Sequence, residues 1–231
     1  MSDVNEGQRT ELDLSFENHR QIPNYDYLLH NLETLVKMLE RNGAFISSLK
    51  NLNLTRDSLA QEPGIGPTGG QVIANALEAN TVLTNLNLCN NDIGPEGAKA
   101  MGNMLVVNKG LTTLDLQNNN ICFRETTSRL GLPVYTSEGP IAIAEALKVN
   151  KTLKSLYLHT NKIDSDGADA LANMLMFNTT LQRLGVRSNS FGTDFFGGNQ
   201  NLRDFVTGRD KFELVESVDL DRLANKLQDL R

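Results

Sequence analysis

One phrase recurs along this chain and limits what the chain can fold into. Leu83-Thr84-Asn85-Leu86-Asn87-Leu88-Cys89-Asn90-Asn91-Asp92-Ile93-Gly94 opens a unit whose second half, Gly97 to Asn108, carries small and apolar residues at helical spacing. The phrase begins again at Leu111 and at Leu153. Leu86 to Leu114 spans 28 residues, and so does Leu156 to Leu184. Leu114 to Leu156 spans 42, one period with an insertion of 14, and Leu52 to Leu86 spans 34, one period with 6 more. The alternation Leu-x-Leu predicts a short strand with its leucines on one side, and the long period leaves room for a helix of about three turns after it. A unit this small cannot bury its apolar side alone, so strand must stack beside strand and helix beside helix.

Each recurring residue then has a physical task. The leucines point inward and stack on those of the next unit. Asn91, Asn119, Asn161 and Asn189 fall where each strand bends away, and a buried amide there bonds the free backbone groups of the neighbouring turn. Asp57 takes that place in the second unit and accepts the same donors. Gly97, Gly139 and Gly167 are expected to open the helices, and Ala98, Ala100, Ala142, Ala144, Ala168 and Ala170 let helix and strand approach closely. All of these belong to the scaffold.

The pattern Leu-x-x-Leu-x-Leu-x-x-Asn-x-Ile-Gly-x-x-Gly-Ala-x-Ala-Leu stands at Leu83–Met101, with Met101 in the Leu slot, and at Leu153–Leu171, with Asp164 in the Gly slot. In this the chain resembles the ribonuclease-inhibitor-like class of leucine-rich repeats, without the cysteine-rich variant of ribonuclease inhibitor itself. The resemblance covers residues 45–192 closely and 11–44 loosely. It implies an α/β fold: a right-handed solenoid bent into a horseshoe arc, with parallel strands on the concave face, helices on the convex face, and five to six repeats.

The domain organisation follows. Residues 1–10 are expected to be flexible. Residues 11–44 form a degenerate first repeat and cap, with a strand at Glu11–Ser15 and a helix carrying Leu28, Leu29, Leu32, Leu35, Val36 and Leu39. Residues 45–192 hold the regular repeats. After Gly192 the pattern stops, and residues 193–231 form a C-terminal cap whose amphipathic helix, Ser217–Leu230, covers the last open core or serves a partner.

Composition excludes several classes. With 39% hydrophobic and 22% charged residues in 231, the chain reads as an ordinary soluble protein. A net charge of −6 argues against a nucleic-acid surface and against docking on an anionic membrane. No stretch is apolar enough to span a bilayer, and the N-terminus is no signal peptide. Two mid-chain cysteines, Cys89 and Cys122, suggest a reducing compartment, so the expectation is a cytoplasmic protein (the host cytosol for a bacterial effector). Asn53, Asn150 and Asn178 each begin an Asn-x-Thr, read as chance matches. The expected state is a monomer with no cofactor and no metal, since no metal-ligand spacing occurs.

Alternate strand residues point away from the core. The outward set is Glu11, Asp13, Ser15; Asn51, Asn53, Thr55; Asn85, Asn87, Cys89; Thr113, Asp115, Gln117; Ser155, Tyr157, His159; and Arg183, Gly185, Arg187. It grades from acidic through amide to aromatic and basic. Asn87, Asp115, Gln117, Tyr157, His159, Arg183 and Arg187 are therefore candidates for holding a protein partner, with the Tyr/His/Arg cluster richest in interface-forming types. The alternative is a solvated face with no partner. The insertions at 16–27, 57–65 and 122–138 all project from the strand-to-helix edge. The largest carries Phe123, Arg124, Arg129, Leu132 and Tyr135, which either make contact or fold back on their own repeat.

The sequence holds no convincing catalytic constellation. His19 and His30 fall in the degenerate first repeat, far in the chain from His159, and Gly64–Gly70 lacks the lysine of a phosphate loop. At the level of the repeat the chain is similar to Ran GTPase-activating proteins, in which a loop arginine near the N-terminus is functionally important. That resemblance would give the role to Arg20 or Arg56. A fragment of a larger receptor or an actin-capping protein would carry similar repeats, although Met1 and the terminal helix favour a complete chain. The sequence points to a non-catalytic protein-interaction module, a regulator or effector, with a GTPase regulator as the alternative.

Overall fold

The computed structural model of the chain describes Val36 and residues 10–14, 49–57, 64–124, 134–190 and 213–214. The loop at 16–27, most of the helix expected at 28–39 and the terminal helix Ser217–Leu230 lie outside the described residues.

Short strands alternate with helices. The parallel sheet takes β1 (Glu11–Asp13), β2 (Asn51–Asn53), β3 (Asn85–Asn87) and β4 (Thr113–Asp115) in order, then passes over a small hairpin to β7 (Ser155–Tyr157), β8 (Arg183–Gly185) and β9 (Glu213–Leu214). The hairpin is β5 (Phe123–Arg124) paired antiparallel with β6 (Val134–Tyr135). Helices α1 (Gly66–Leu77), α2 (Gly94–Val107), α3 (Glu138–Val149) and α4 (Ser165–Phe177) return the chain between strands and pack in sequence against one another.

The register is the one the period demands. Leu52, Leu86, Leu114, Leu156 and Leu184 pair across successive strands and are all buried. Ile73, Leu77, Met101, Met104, Ile143, Leu147, Leu171 and Met174 meet them from the helices in one continuous core. Each such side chain contributes about 2 kcal/mol when withdrawn from water. Val36 is helical and belongs to the same core.

Two parallel ladders of asparagine stitch the repeats. In the expected one, Asn91 N donates to Asn119 Oδ1 at 3.0 Å, Asn119 N to Asn161 Oδ1 at 2.8 Å, and Asn161 N to Asn189 Oδ1 at 2.8 Å. The side-chain amides donate back to Leu54, Leu88, Leu116 and Leu158 carbonyls. The second ladder stands at the opposite edge, where helix returns to strand. Asn108 Nδ2 donates to the Leu77 carbonyl at 2.6 Å, Asn150 Nδ2 to Leu105 at 2.8 Å, and Asn178 Nδ2 to Leu147 at 2.6 Å. Their Oδ1 atoms accept from the N–H of Leu111, Leu153 and Leu181. Asn150 and Asn178, two of the Asn-x-Thr sites, are thus fully enclosed with their amides committed to carbonyls.

Two details depart from the sequence reading. The sheet does not end at the last regular repeat: β9 adds a strand in register, Leu214 beside Leu184. Gly97, Gly139 and Gly167 do not begin their helices, which start up to three residues earlier. They mark close approach instead; a Cβ on Gly97 would run into Ile93 Cγ2 and lie 3.3 Å from the Pro67 carbonyl.

Candidate functional site

The sheet lays the outward residues in three rows. Glu11, Asn51, Asn85, Thr113, Ser155 and Arg183 form the first by direct pairing; Asp13, Asn53, Asn87, Asp115, Tyr157 and Gly185 form the second. The third, Cys89, Gln117, His159 and Arg187, is carried on by backbone bonds from Asn90 to Gln117, Asn118 to His159 and Thr160 to Arg187. The expected set therefore does share one face. Ser15 lies outside the described residues.

The first half of the face is tied up internally. Asn85 Nδ2 donates to Asn51 Oδ1. Along the second row, Asn53 Oδ1 accepts from Thr55 N at 3.1 Å, Asn87 Oδ1 from Cys89 N at 3.0 Å, and Asp115 Oδ1 from Gln117 N at 2.9 Å. A short polar side chain bonding the backbone two residues on holds the strand exit in shape. Asn87 and Asp115 thus have a scaffold task alongside any contact they make. Burial raises the Asp115 carboxyl above its usual value, partly offset by the Gln117 bond. Burial, then the nearby Asp115 charge, pushes the Cys89 thiol up to about 11.

At Tyr157 the pattern breaks, because a phenol cannot make that bond. The Tyr157 ring stacks on the His159 imidazole, centroids 6.1 Å apart and planes at 29°. His159 reaches across to the next repeat, where its Nδ1 accepts from Arg187 N at 3.0 Å. The neutral ring therefore carries its proton on Nε2. Burial, and then the Arg187 charge, holds the His159 pKa below its ordinary value. Arg183 Nε donates to the buried Ser155 Oγ at 2.9 Å, which fixes the guanidinium while leaving the residue exposed. Gly185 lies between them. A Cβ there would fall 2.6 Å from His159 Cε1 and 2.9 Å from Tyr157 Cδ1. Gly185 and Ser155, absent from the expected site set, are what allow the cluster to form. Their signal was available: a glycine in register with Tyr157, and a serine in register with Arg183.

The inserted hairpin is divided between two roles. Phe123 meets Tyr135 edge-on at 5.7 Å, and Lys162 Nζ lies 4.0 Å above the Phe123 ring, which ties the insertion to the following repeat. Phe123 thus folds back, whereas Tyr135 is 55% exposed. Ser137 Oγ donates to both oxygens of Asp164, and Asp164 Oδ1 accepts from Gly167 N at the head of α4. Arg129 and Leu132 lie outside the described residues, as does Arg20; Arg124 is placed on β5, and Arg56 follows β2, with its N–H bonded to the Cys89 carbonyl. Among the described residues no group of three or more His, Cys, Asp or Glu is disposed to hold a metal ion.

A family model described as "Leucine Rich repeat" matches residues 79–102 and 149–172. Among curated proteins none matches the chain. Among solved structures it is similar to one titled "Leiomodin-1 Actin-Binding Site 2", with a TM-score of 0.58 at 22% identity, covering 91% of this chain and 98% of that one. It is also similar to the tropomodulin C-terminal domain of Caenorhabditis elegans, with a TM-score of 0.53 at 12% identity, covering 87% and 98%. At these identities the likeness is one of fold.

Proposed function

We infer that this leucine-rich-repeat protein is a non-catalytic interaction module that holds a protein partner on the C-terminal half of its concave face, with the strand-to-helix edge alongside. The observation that carries the reading is the held cluster of Tyr157, His159, Arg183 and Arg187. Its aromatic and guanidinium groups are positioned before any partner arrives: Arg183 by Ser155, and His159 by the Arg187 backbone. Such residues contribute most to interface energy, and prior positioning reduces the entropy lost on binding. The likeness to a structure whose title names an actin-binding site adds that this repeat architecture serves protein recognition elsewhere. The 28-residue period supports the ribonuclease-inhibitor-like class.

Affinity capture with the wild type and with the triple variant Tyr157→Ala, Arg183→Ala, Arg187→Ala is the test, with purified actin as the first defined partner assayed. The wild type is expected to retain a partner that the variant loses by about a hundredfold in affinity, as the removal of two or three anchors implies. Equal recovery by both proteins would remove the concave face from the proposal.

A further inference from the structure

Sorted by edge rather than summed over the chain, the charges of this protein separate. The described turns that lead from helix back to strand carry Lys50, Lys109, Lys151 and Lys154 against a single acid, Glu78, and Lys148 stands in the last turn of α3. The described turns that lead from strand to helix carry Asp57, Asp92 and Asp164 beside Arg56 and Lys162, and the first turns of the helices add Glu96, Glu138 and Asp166. The net charge of −6 conceals a basic edge.

The same edge gathers the exposed apolar side chains. Val107, Val149 and Phe177 are the last residues of α2, α3 and α4, and so repeat in register. Val106 and Met176 precede two of them. These five range from 45% exposed at Val106 to 57% at Phe177, and among the described residues only Tyr135 and Ile141 join them as large exposed apolar side chains. The lysines interleave with them. Lys109 Nζ lies against the Val106 carbonyl at 3.4 Å, Lys151 Nζ against the Lys148 carbonyl at 3.4 Å, and Lys148 Nζ sits 5.7 Å from the Phe177 ring centre while paired with Glu145.

We propose that this edge docks peripherally on an anionic bilayer surface, the lysines meeting lipid phosphates and carboxylates while Val107, Val149, Met176 and Phe177 enter the headgroup boundary. Charge complementarity selects the occupant. Among the described residues the basic groups on this edge are lysines, compact charges on flexible stems that reach headgroups at varying depth, whereas protein interfaces favour arginine and deplete lysine. Arg183 and Arg187, both exposed, sit on the other site. A bilayer also needs no groove, only a row of apolar tips flanked by cations. The acidic opposite edge would face away from the membrane.

The test is co-sedimentation with vesicles of phosphatidylcholine alone and of phosphatidylcholine mixed with phosphatidylserine, using the full chain. Binding is expected to the mixed vesicles only and to fall as salt rises. At a factor of roughly five per lysine near an anionic surface, Lys109→Gln with Lys151→Gln lowers the partition roughly 30-fold. Met176→Ser with Phe177→Ser weakens binding at every salt concentration. All four positions are exposed, so circular-dichroism melts of the variants should match the wild type. No partition above that on phosphatidylcholine overturns the proposal, and so does loss of binding through Arg183 and Arg187 but not through the lysines. Self-association of the lipid-free chain that disappears in the Met176/Phe177 variant also overturns it, and assigns the edge to protein contact.

Discussion

The imidazole Nδ1 of His159 accepts a hydrogen bond from the backbone N–H of Arg187, 3.0 Å away on the next repeat. In the repeats before it, the strand exit is held by Asn53, Asn87 or Asp115 bonding within its own repeat. At His159 the bond crosses repeats instead. Scaffold and candidate binding cluster therefore share one hydrogen bond, and disturbing it should register in both stability and recognition.

Gly185→Ala is the most direct disturbance. The added methyl needs the space of the imidazole and the edge of the Tyr157 ring, with the Arg187 bond opposing displacement of His159. Overpacking of this kind costs about 1–3 kcal/mol. Urea unfolding should show that loss, and partner capture should weaken along with it. Unchanged stability would mean that the His159 ring moves aside freely.

Acid should act on the same bond. His159 is held neutral in the fold, its pKa below the ordinary value of 6.5 because of burial first and Arg187 second. Below about pH 6.5 the unfolded chain therefore takes up the proton before the folded chain does. The associated stability is fully present above that pH and is lost as pH falls through the folded pKa, by at most about 1.4 kcal/mol per pH unit for one proton. Urea midpoints of the wild type and of His159→Gln, measured from pH 7.5 down to pH 5, should converge as the pH falls. Parallel curves would refute this.

What the sequence made legible and what it hid differ in physical kind. Period and alternation determine which side of a strand a residue faces, so Leu86 lies in the core, Asn91 joins the ladder, and the rows from Asn51 to Arg187 fall in register, although Cys89, Ser155, His159 and Gly185 among them are buried. Pattern does not reveal a bond whose partner lies on another repeat. The contact from His159 to Arg187 joins residues 28 apart, and the ladder of Asn108, Asn150 and Asn178 joins residues up to 45 apart. That ladder had a visible signal, an Asn three residues before each strand-opening Leu, yet asparagine in a loop is ordinary enough to pass unnoticed. The edge charge was hidden for a related reason: a net charge carries no positions.

Both cysteines should be inert in the folded protein. Burial pushes the Cys89 thiol up to about 11 and the Cys122 thiol up to about 12, from an ordinary 9.0. Alkylation proceeds through the thiolate, so two pH units at Cys89 reduce its rate about a hundredfold relative to a free thiol, and burial slows it further. Iodoacetamide labelling at pH 8 followed by mass spectrometry should modify both residues in urea and neither in buffer. Rapid labelling of native Cys89 would contradict the assigned environment.

Thr160 offers a stabilising change. It holds a left-handed backbone, φ +56°, at a position where the two preceding repeats use Asn90 and Asn118. A β-branched residue is strained there, and asparagine is not. Asn118 Nδ2 already donates to Asn90 Oδ1 at 2.8 Å. Thr160→Asn should extend that row and raise stability by about 1 kcal/mol, readable as a higher urea midpoint. An unchanged or lower midpoint would show that the strain is already relieved by neighbouring contacts.

Asp115 stands where earlier repeats place Asn53 and Asn87, and all three bond the backbone two residues on. An amide oxygen makes the same bond, as Asn53 and Asn87 show, and carries no charge for burial to penalise. The sign follows from the raised value. The folded protein prefers the protonated acid, so Asp115 contributes most at low pH, and that contribution is lost as pH rises from the ordinary 3.8 through the folded pKa. At pH 7 the ionised carboxylate is a net cost. Asp115→Asn should therefore stabilise the protein at pH 7, on the order of 1 kcal/mol, with the gain shrinking as the pH approaches 4. It also removes a charge that helps raise the Cys89 thiol, so alkylation of Cys89 in the variant should be slightly faster despite the more stable fold. The two readouts move in opposite directions. A purely structural effect of the substitution would slow both unfolding and alkylation, and that outcome would refute the electrostatic account.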